Sequence, residues 1–196
     1  MDKWKKLEAL KLKMAENASL PFFGGANLVF GEGDENAEVM FVGEAPGFHE
    51  DKSGRPFVGR AGQLLDRLLM EIKWPRESVY ITNIVKRRPP KNRDPLPKEI
   101  AAYSSYLQKQ IKIINPKIIV PLGRFAMNYF LPSAKISENH GVLSEVLTKE
   151  GQRFIVMPLY HPAAALRSTT VLKDLEADFR KLPKLLKQAK AVKIKG

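Results

Sequence analysis

The sequence predicts an α/β fold, a doubly wound domain with a mainly parallel sheet. Four short runs are almost continuously apolar and rich in β-branched or aromatic residues, which is typical of strands buried on both faces. Segments with helical periodicity lie between these runs, and strands that alternate with helices favour a parallel sheet. The chain has 196 residues and 44% hydrophobic content, so we expect one domain spanning residues 1–196.

The predicted elements follow one another along the chain. Strands are expected at residues 37–43, 79–85, 117–123 and 154–160, with the sequences AEVMFVG, VYITNIV, KIIVPLG and FIVMPLY. Helices are expected at residues 61–72, 97–114, 124–131 and 171–190, together with a basic helix at the N-terminus. Pro183 is expected to break or kink the C-terminal helix, which leads into a basic tail.

Ligands in folds of this class bind outside the carboxyl ends of the strands. Function is therefore expected in the loops after Val42, Val85, Leu122 and Tyr160.

The charge of the chain narrows the class of partner. The formal net charge is +12, which favours a polyanionic partner such as nucleic acid or an anionic membrane surface. A lysine-rich thermophilic surface is the alternative interpretation. No apolar run approaches the roughly 20 residues that span a bilayer, and the N-terminus lacks the apolar region of a signal peptide. We expect an intracellular, cytoplasmic monomer that does not bind a membrane.

The stretch GEAPGFHEDKSGRPFVGRAG, residues 43–62, is interpreted as a functional loop because it is rich in glycine and follows the first strand. Residues 54–61 have the glycine spacing of a Walker A loop. However, Arg60 stands in place of the lysine and Ala61 in place of the hydroxyl residue, and the segment does not directly follow a strand. We therefore reject a nucleotide-phosphate loop.

Two later loops carry polar and basic residues. The loop at residues 83–99, NIVKRRPPKNRDPLPKE, starts with Asn83 at a strand end, and its four prolines stiffen a set of cations. Such a loop can hold cations toward phosphates at little ordering cost. The loop at residues 161–168, HPAAALRS, places His161 at the end of the fourth strand and an apolar tip, Leu166, beside Arg167.

Four motifs in this order resemble the family 4 uracil-DNA glycosylases, the iron–sulfur type within the uracil-DNA glycosylase superfamily. They are GEAPGFHEDKSGRPFVGRAGQLLDRLL, YITNIVKRRPPKNRDPLPKEI, IIVPLGRFA and HPAAALR, and the resemblance extends from about Val29 to Leu166. It implies a three-layer α/β/α sandwich around a parallel four-stranded sheet. It also implies hydrolysis of the N-glycosidic bond of deoxyuridine in DNA, after the base has been flipped into a pocket.

Three residues match the family's uracil pocket. Phe57 matches the aromatic residue on which uracil stacks, a type of contact worth about 1–3 kcal/mol per base. Asn83 matches the residue that donates to O4 and accepts from N3–H of uracil, a pattern that cytosine reverses. His161 matches a histidine near O2, where a donor stabilises the charge that develops as the bond breaks. A core phenylalanine and a structural histidine are the alternatives for Phe57 and His161.

The residues around Ala45 are expected to hold uracil or water. The superfamily's best-known enzymes carry a water-orienting aspartate at this position, which family 4 lacks, as this chain does. In the absence of that aspartate, Glu44 and the backbone groups of Gly43 and Ala45 are expected to hold uracil or water, and Glu44 is expected to be catalytic. Glu50 resembles an acid near the uracil C5 edge that would exclude thymine's methyl group; a solvated surface acid is the alternative.

The resemblance also suggests contacts to DNA. Leu166 and Arg167 resemble the wedge and the phosphate contact that support the flipped state. Further candidates for DNA contacts are Arg60, Lys86 and Arg88. His49 and His140 are interpreted as structural.

One departure from the family concerns its 4Fe–4S cluster, which four cysteines hold. This chain has no cysteine; Arg87 and Tyr103 stand at two of the positions, and the other two fall within residues 15–19. A cluster bound to cysteine thiolates is therefore excluded, and we expect no metal and no cofactor. The hypothesis is that packing replaces the cluster, with Tyr103 filling the gap and Arg87 pairing with an acid.

The favoured interpretation is a cluster-free uracil-DNA glycosylase acting on single- or double-stranded DNA, since Phe57, Asn83 and His161 are all present. Two alternatives stay open. One is a glycosylase for hypoxanthine or xanthine, because the groups that set the breadth of the pocket cannot be assigned. The other is a non-catalytic DNA-binding module.

Overall fold

The residues that the structure describes, 2–147 and 153–191, form a six-stranded mixed sheet between two layers of helices. In this computed structural model the strands are β1 (Glu32–Gly33), β2 (Val39–Gly43), β3 (Tyr80–Asn83), β4 (Ile118–Pro121), β5 (Ser144–Leu147) and β6 (Arg153–Val156). Their order is β1-β3-β2-β4-β6-β5. The four inner strands are parallel, whereas β1 and β5 run antiparallel to their neighbours. The predicted parallel four-stranded sheet is confirmed, with a short antiparallel strand added at each edge.

The helices cover both faces of the sheet. They are α1 (Lys3–Glu16), α2 (Phe48–Ser53), α3 (Arg60–Glu71), α4 (Pro97–Ile114), α5 (Arg124–Phe130), α6 (Ile136–Asn139), α7 (Pro162–Ala165) and α8 (Thr169–Ala191). Helix α8 continues through Pro183, so the expected break there is wrong. Helix α2 lies inside the stretch that was interpreted as a loop, and the basic N-terminal helix is confirmed as α1.

Alternate residues of the inner strands enter two separate cores. Met40 and Val42 of β2 pack in a core with the buried faces of α1 and α4, whereas Val39 and Phe41 pack in a core with α3 and α8. Because side chains alternate across a strand, a strand covered by helices on both faces must be apolar at every position. This explains why the strand sequences are almost continuously apolar, and it establishes the three-layer α/β/α sandwich.

The carboxyl ends of the parallel strands meet at one edge. Gly43 at the end of β2 pairs with Asn83 at the end of β3. On the other side of β2, the backbone after β4 bridges to the backbone after β6, and the Gly123 amide donates to the Leu159 carbonyl at 2.8 Å. The loops that carry the candidate site residues therefore start from neighbouring points of the sheet.

Within the described ranges, no helix combines the length and the apolar character of a bilayer-spanning segment.

Candidate active site

Gly43 brings the side chains of Asn83 and Phe57 together. A Cβ atom on Gly43 would collide with Asn83 Oδ1 and would lie 2.6 Å from Phe57 Cζ. Only glycine allows both groups to approach the end of β2 this closely. Asn83 and Phe57 are 2% and 5% exposed. A buried amide edge and an aromatic face are thus held at the carboxyl end of the sheet.

Phe57 has a left-handed backbone conformation, with φ at 52°. A side chain in this region is strained by about 1–3 kcal/mol, so neighbouring contacts must hold it. Glu50 supplies several of them, because its carboxylate accepts hydrogen bonds from the amides of Val58 at 3.0 Å, Gly59 at 2.9 Å and Gly47 at 3.1 Å. Glu50 therefore fixes the loop, and the expected contact of its side chain with the uracil C5 edge stays a prediction.

Arg76 holds the same loop from the other side. Its guanidinium donates to the Pro56 carbonyl at 2.6 Å, to Asp66 at 2.5 Å and to Glu32 at 2.9 Å. At its other end the loop lies directly on α3, where a Cβ atom on Gly62 would collide with the Phe57 carbonyl. The position of the Phe57 ring is thus set by contacts both before and after it.

His161 lies opposite Phe57, with the ring centroids 5.5 Å apart and the planes 27° from parallel. It caps the short helix α7, and its Nδ1 accepts the amide of Ala163 at 3.0 Å. The proton of the neutral ring is therefore on Nε2, which is left to donate. Burial lowers the pKa of His161 to about 4, although the Glu50 carboxylate acts in the opposite direction. At neutral pH the ring is an uncharged donor.

Glu44 follows Gly43 directly and is partly buried. Burial and, to a smaller extent, the Asp94 carboxylate raise the pKa of its carboxyl to about 7, although Arg124 opposes this rise. Asp94 and Arg124 form an exposed ion pair at 2.9 Å. Ala45, next in the chain, packs against the core that contains α1 and α4. The site thus contains a carboxyl that changes its charge near neutral pH.

The candidate DNA-contact residues divide into two groups. Arg60, Leu166 and Arg167 are exposed, and Leu166 and Arg167 line a cavity of about 320 Å³ between α3 and the start of α8. Arg88 is partly buried at the surface.

Lys86 is completely buried, so its expected contact with DNA is wrong. Its Nζ donates to Thr82 Oγ1 and Gln110 Oε1, each at 2.5 Å. Burial among neutral partners lowers its pKa well below the usual value.

Comparison with known families identifies the superfamily of the chain. Residues 30–187 match the model of the uracil-DNA glycosylase superfamily. The chain belongs to this superfamily. The matched segment includes β2, β3, β4 and β6, together with the Phe57 and His161 loops.

Three relatives of this glycosylase superfamily member carry the name Type-4 uracil-DNA glycosylase. The protein of Sulfurisphaera tokodaii is 51% identical over 81% of this chain and 74% of its own length. The protein of Saccharolobus solfataricus is 49% identical over 82% of this chain and 76% of its own. The protein of Archaeoglobus fulgidus is 46% identical over 81% of this chain and 82% of its own.

The side chains at two cluster positions of family 4 do not fit an iron–sulfur cluster. Tyr103 is completely buried, and its hydroxyl donates to the Pro21 carbonyl at 2.6 Å. Arg87 is 4% exposed, and its guanidinium carbon lies 5.2 Å from the centroid of the Phe23 ring. A guanidinium has only donors, and a cluster requires anionic thiolate ligands. The described residues also include no group of three or more His, Cys, Asp or Glu side chains that could hold a metal ion.

Arg87 was expected to pair with an acid, but among the described residues no acidic side chain bonds to it. Its Nη2 donates to the Ala15 carbonyl at 3.4 Å, in the last turn of α1, while Nε and Nη1 have no hydrogen-bond partner among the described residues. A cation at a helix C-terminus is stabilised by the helix dipole. The hypothesis of packing by Tyr103 agrees with its burial, but the acid predicted for Arg87 is replaced by a helix end and an aromatic ring.

Some residues of this glycosylase site were not identified from the sequence. Arg124 stands two residues after Leu122, in a loop that was expected to be functional. This position could have identified Arg124 as a candidate site residue. Asp94 and Arg76 gave no comparable signal, because their partners lie far away in the chain.

Proposed function

We infer that this protein removes uracil from DNA by hydrolysing the N-glycosidic bond of deoxyuridine, which leaves an abasic site. The observation that carries this inference is that Asn83 and Phe57 meet at Gly43 and that the His161 ring lies against the Phe57 ring, in a member of the uracil-DNA glycosylase superfamily. These groups supply an amide for the base edge, a ring for its face and a donor for the charge that develops on it.

Asn83 selects uracil. Its amide N–H would donate to O4 of uracil while its carbonyl accepts from N3–H. In cytosine the amino group at C4 would face the amide N–H, and the unprotonated N3 would face the carbonyl oxygen, so neither hydrogen bond could form. Because Asn83 is almost completely buried, such a mismatch would leave unpaired polar groups out of water. Phe57 stacks on the face of the same base.

His161 stabilises the departing base. As the C1′–N1 bond breaks, its electron pair stays with uracil and negative charge spreads over N1 and O2. The neutral ring donates from Nε2 to O2, because Nδ1 is occupied by the Ala163 amide. A donor of this kind acts mainly in the transition state.

Glu44 orients the attacking water. The water oxygen bonds to C1′ of the sugar, and its proton passes to the Glu44 carboxylate or to solvent. The departing uracil anion takes up a proton from solvent, so that the products are free uracil and an abasic sugar. A carboxyl with a pKa near 7 can hold or accept this proton at neutral pH. Gly43 and Ala45 contribute backbone groups beside it.

DNA is held by exposed groups around the pocket. We propose Leu166 as the wedge that supports the flipped base, and Arg167, Arg60 and Arg88 as contacts to the strand. The protein would work inside the cell as a monomeric single domain on single- or double-stranded DNA, without an iron–sulfur cluster or other cofactor.

Single-turnover release of uracil from single-stranded and duplex oligonucleotides tests this function. We expect release by the metal-free protein and a fall of about 10²–10³ in rate for His161→Ala. Asn83→Asp should lose uracil release because a carboxylate cannot donate to O4. Asn36→Asp, the same change at an exposed turn, is the matched control and should leave the rate unchanged.

The same assay separates the alternatives. Hypoxanthine or xanthine release without uracil release would identify a glycosylase of different range. Binding of DNA without release of any of the three bases would identify a non-catalytic module and would overturn the proposed function.

A further inference from the structure

An aromatic side chain lies exposed in the segment that connects Gly43 to Phe57. Phe48, the first residue of α2, is 54% exposed. The guanidinium carbon of Arg88 lies 5.1 Å from the centroid of its ring. The ring of His49 meets it nearly edge-on, at 82° and 5.4 Å between centroids. We call Phe48, His49 and Arg88 the Phe48 platform.

The platform is held in place before any ligand binds. Arg88 Nε donates to Asn92 Oδ1 at 2.5 Å, which fixes the guanidinium over the ring. Helix α2 is fixed through Glu50, whose carboxylate accepts amides from both ends of the surrounding loop. A surface ordered in advance loses little conformational entropy on binding.

The position of the platform relates it to the uracil pocket. Phe48 and Arg88 each follow the paired strand ends Gly43 and Asn83 by five residues. Arg88 follows β3, whereas the expected wedge Leu166 follows β6, on the other side of β2 and β4. Arg88 and Leu166 therefore follow strands on opposite sides of β2, which ends at Gly43.

The chemistry of the platform fits an unpaired nucleotide. The ring face that Arg88 does not cover can stack on any nucleobase, and the guanidinium can add a cation–π contact or bind a phosphate. In a duplex the bases next to uracil are already stacked and paired, so an exposed ring gains little from them. We propose that the Phe48 platform stacks an unpaired base next to the excised uracil and so favours single-stranded DNA. This proposal rests on the proposed function, because it places the platform beside a uracil pocket.

Binding of single-stranded and duplex oligonucleotides of the same sequence tests the proposal. Each carries one 2′-fluoro-deoxyuridine, which slows cleavage, and affinity is measured by fluorescence anisotropy. Phe48→Ala should weaken single-strand binding by about 5- to 150-fold and change duplex binding by less than twofold. Phe48→Trp should retain the preference. Trp4→Ala, which removes an equally exposed aromatic residue on α1, is the matched control and should change neither affinity.

Salt dependence distinguishes stacking from charge. Phe48→Ala should leave the slope of log K against log salt unchanged, whereas Arg88→Gln should reduce it by at most about 0.7, the effect of one phosphate on a single strand. Equal losses on single-stranded and duplex DNA, or no loss with Phe48→Ala, would overturn the proposal. Uracil release by the wild-type protein is measured in parallel. If the wild-type protein releases uracil but Phe48→Ala does not change single-strand affinity, the platform proposal alone is refuted. If Phe48→Ala weakens only single-strand binding but the wild-type protein releases no uracil, the proposed function alone is refuted.

Discussion

At the scale of single residues, Glu44 is a candidate site residue whose charge changes near neutral pH. Burial and the nearby Asp94 raise the pKa of its carboxyl from the ordinary 4.5 to about 7. His161 behaves differently, since its pKa is lowered to about 4 and the ring stays neutral above that pH. The pH dependence of the chemical step near neutrality is therefore expected to come from Glu44.

We expect the single-turnover rate to rise by about tenfold per pH unit below pH 7 and to level off above it. Glu44→Gln should remove this step and lower the plateau by about 10²–10⁴. Rates measured between pH 5 and pH 9 check both statements. Glu138→Gln, the same change at an exposed position, is the control and should reproduce the wild-type profile. A flat wild-type profile would contradict the assigned role.

Glu44→Gln is also expected to change how the free energy of unfolding depends on pH. Because the folded state raises the pKa, it binds more protons than the unfolded chain between pH 4.5 and about 7, so stability falls as pH rises through this window. The shift corresponds to about 3 kcal/mol. Glu44→Gln should therefore stabilise the protein at pH 8 and have little effect at pH 4, as measured by denaturant unfolding.

At the scale of elements, the Phe57 loop depends on residues outside the pocket. Arg76 is a positioning residue, because it reaches the base only through the Pro56 carbonyl and the strained Phe57 backbone. Arg76→Ala should weaken substrate binding and slow release together, by up to about 10² for a displacement of about 1 Å. Inhibition by free uracil measures the pocket directly and should weaken as well.

Arg55→Ala is the matched control for this loop. Arg55 pairs with the same Glu32, at 2.7 Å, but its guanidinium is more exposed and does not bond to the Pro56 carbonyl. Uracil inhibition should therefore be nearly unchanged. If Arg55→Ala and Arg76→Ala weaken inhibition equally, the effect belongs to the surface charge network and not to the loop.

Burial explains which elements could be predicted from the sequence and which could not. The four inner strands are covered on both faces, so their apolar runs were recognisable. The edge strand β1 has two residues, and β5 alternates between partly buried and exposed positions, so neither has a continuous apolar run. Helix α2 has six residues, none of them buried, and its stability depends on Glu50 and not on periodicity.

At the scale of the whole molecule, the sequence did not predict which side chains from distant segments would contact one another. Lys86 lies in a basic loop, yet its ammonium group points inward to Thr82 and Gln110. The pKa of Glu44 depends on Asp94 and Arg124, which follow other strands. The net charge of +12 predicts attraction to DNA, but it does not tell which cations face outward.

The attachment of the N-terminal segment is the last such pairing. Tyr103 on α4 donates to Pro21, and Arg87 after β3 reaches Ala15 on α1, so these two side chains connect three parts of the chain. They stand where family 4 places cluster ligands. We infer that buried packing, a hydrogen bond and a cation at a helix end now supply the connection.

Thermal unfolding of Tyr103 variants tests this inference. Tyr103→Ala removes a completely buried aromatic residue, a change worth about 3–5 kcal/mol, and should lower Tm by roughly 6–20 °C. Tyr103→Phe keeps the ring and leaves the Pro21 carbonyl without its donor, so a smaller loss of about 1–3 kcal/mol is expected. Incubation of the wild-type protein with ferrous iron and sulfide should neither raise Tm nor produce the visible absorption of a cluster. An unchanged Tm for both variants, or a Tm that rises with iron and sulfide, would show that packing at Tyr103 does not replace the cluster.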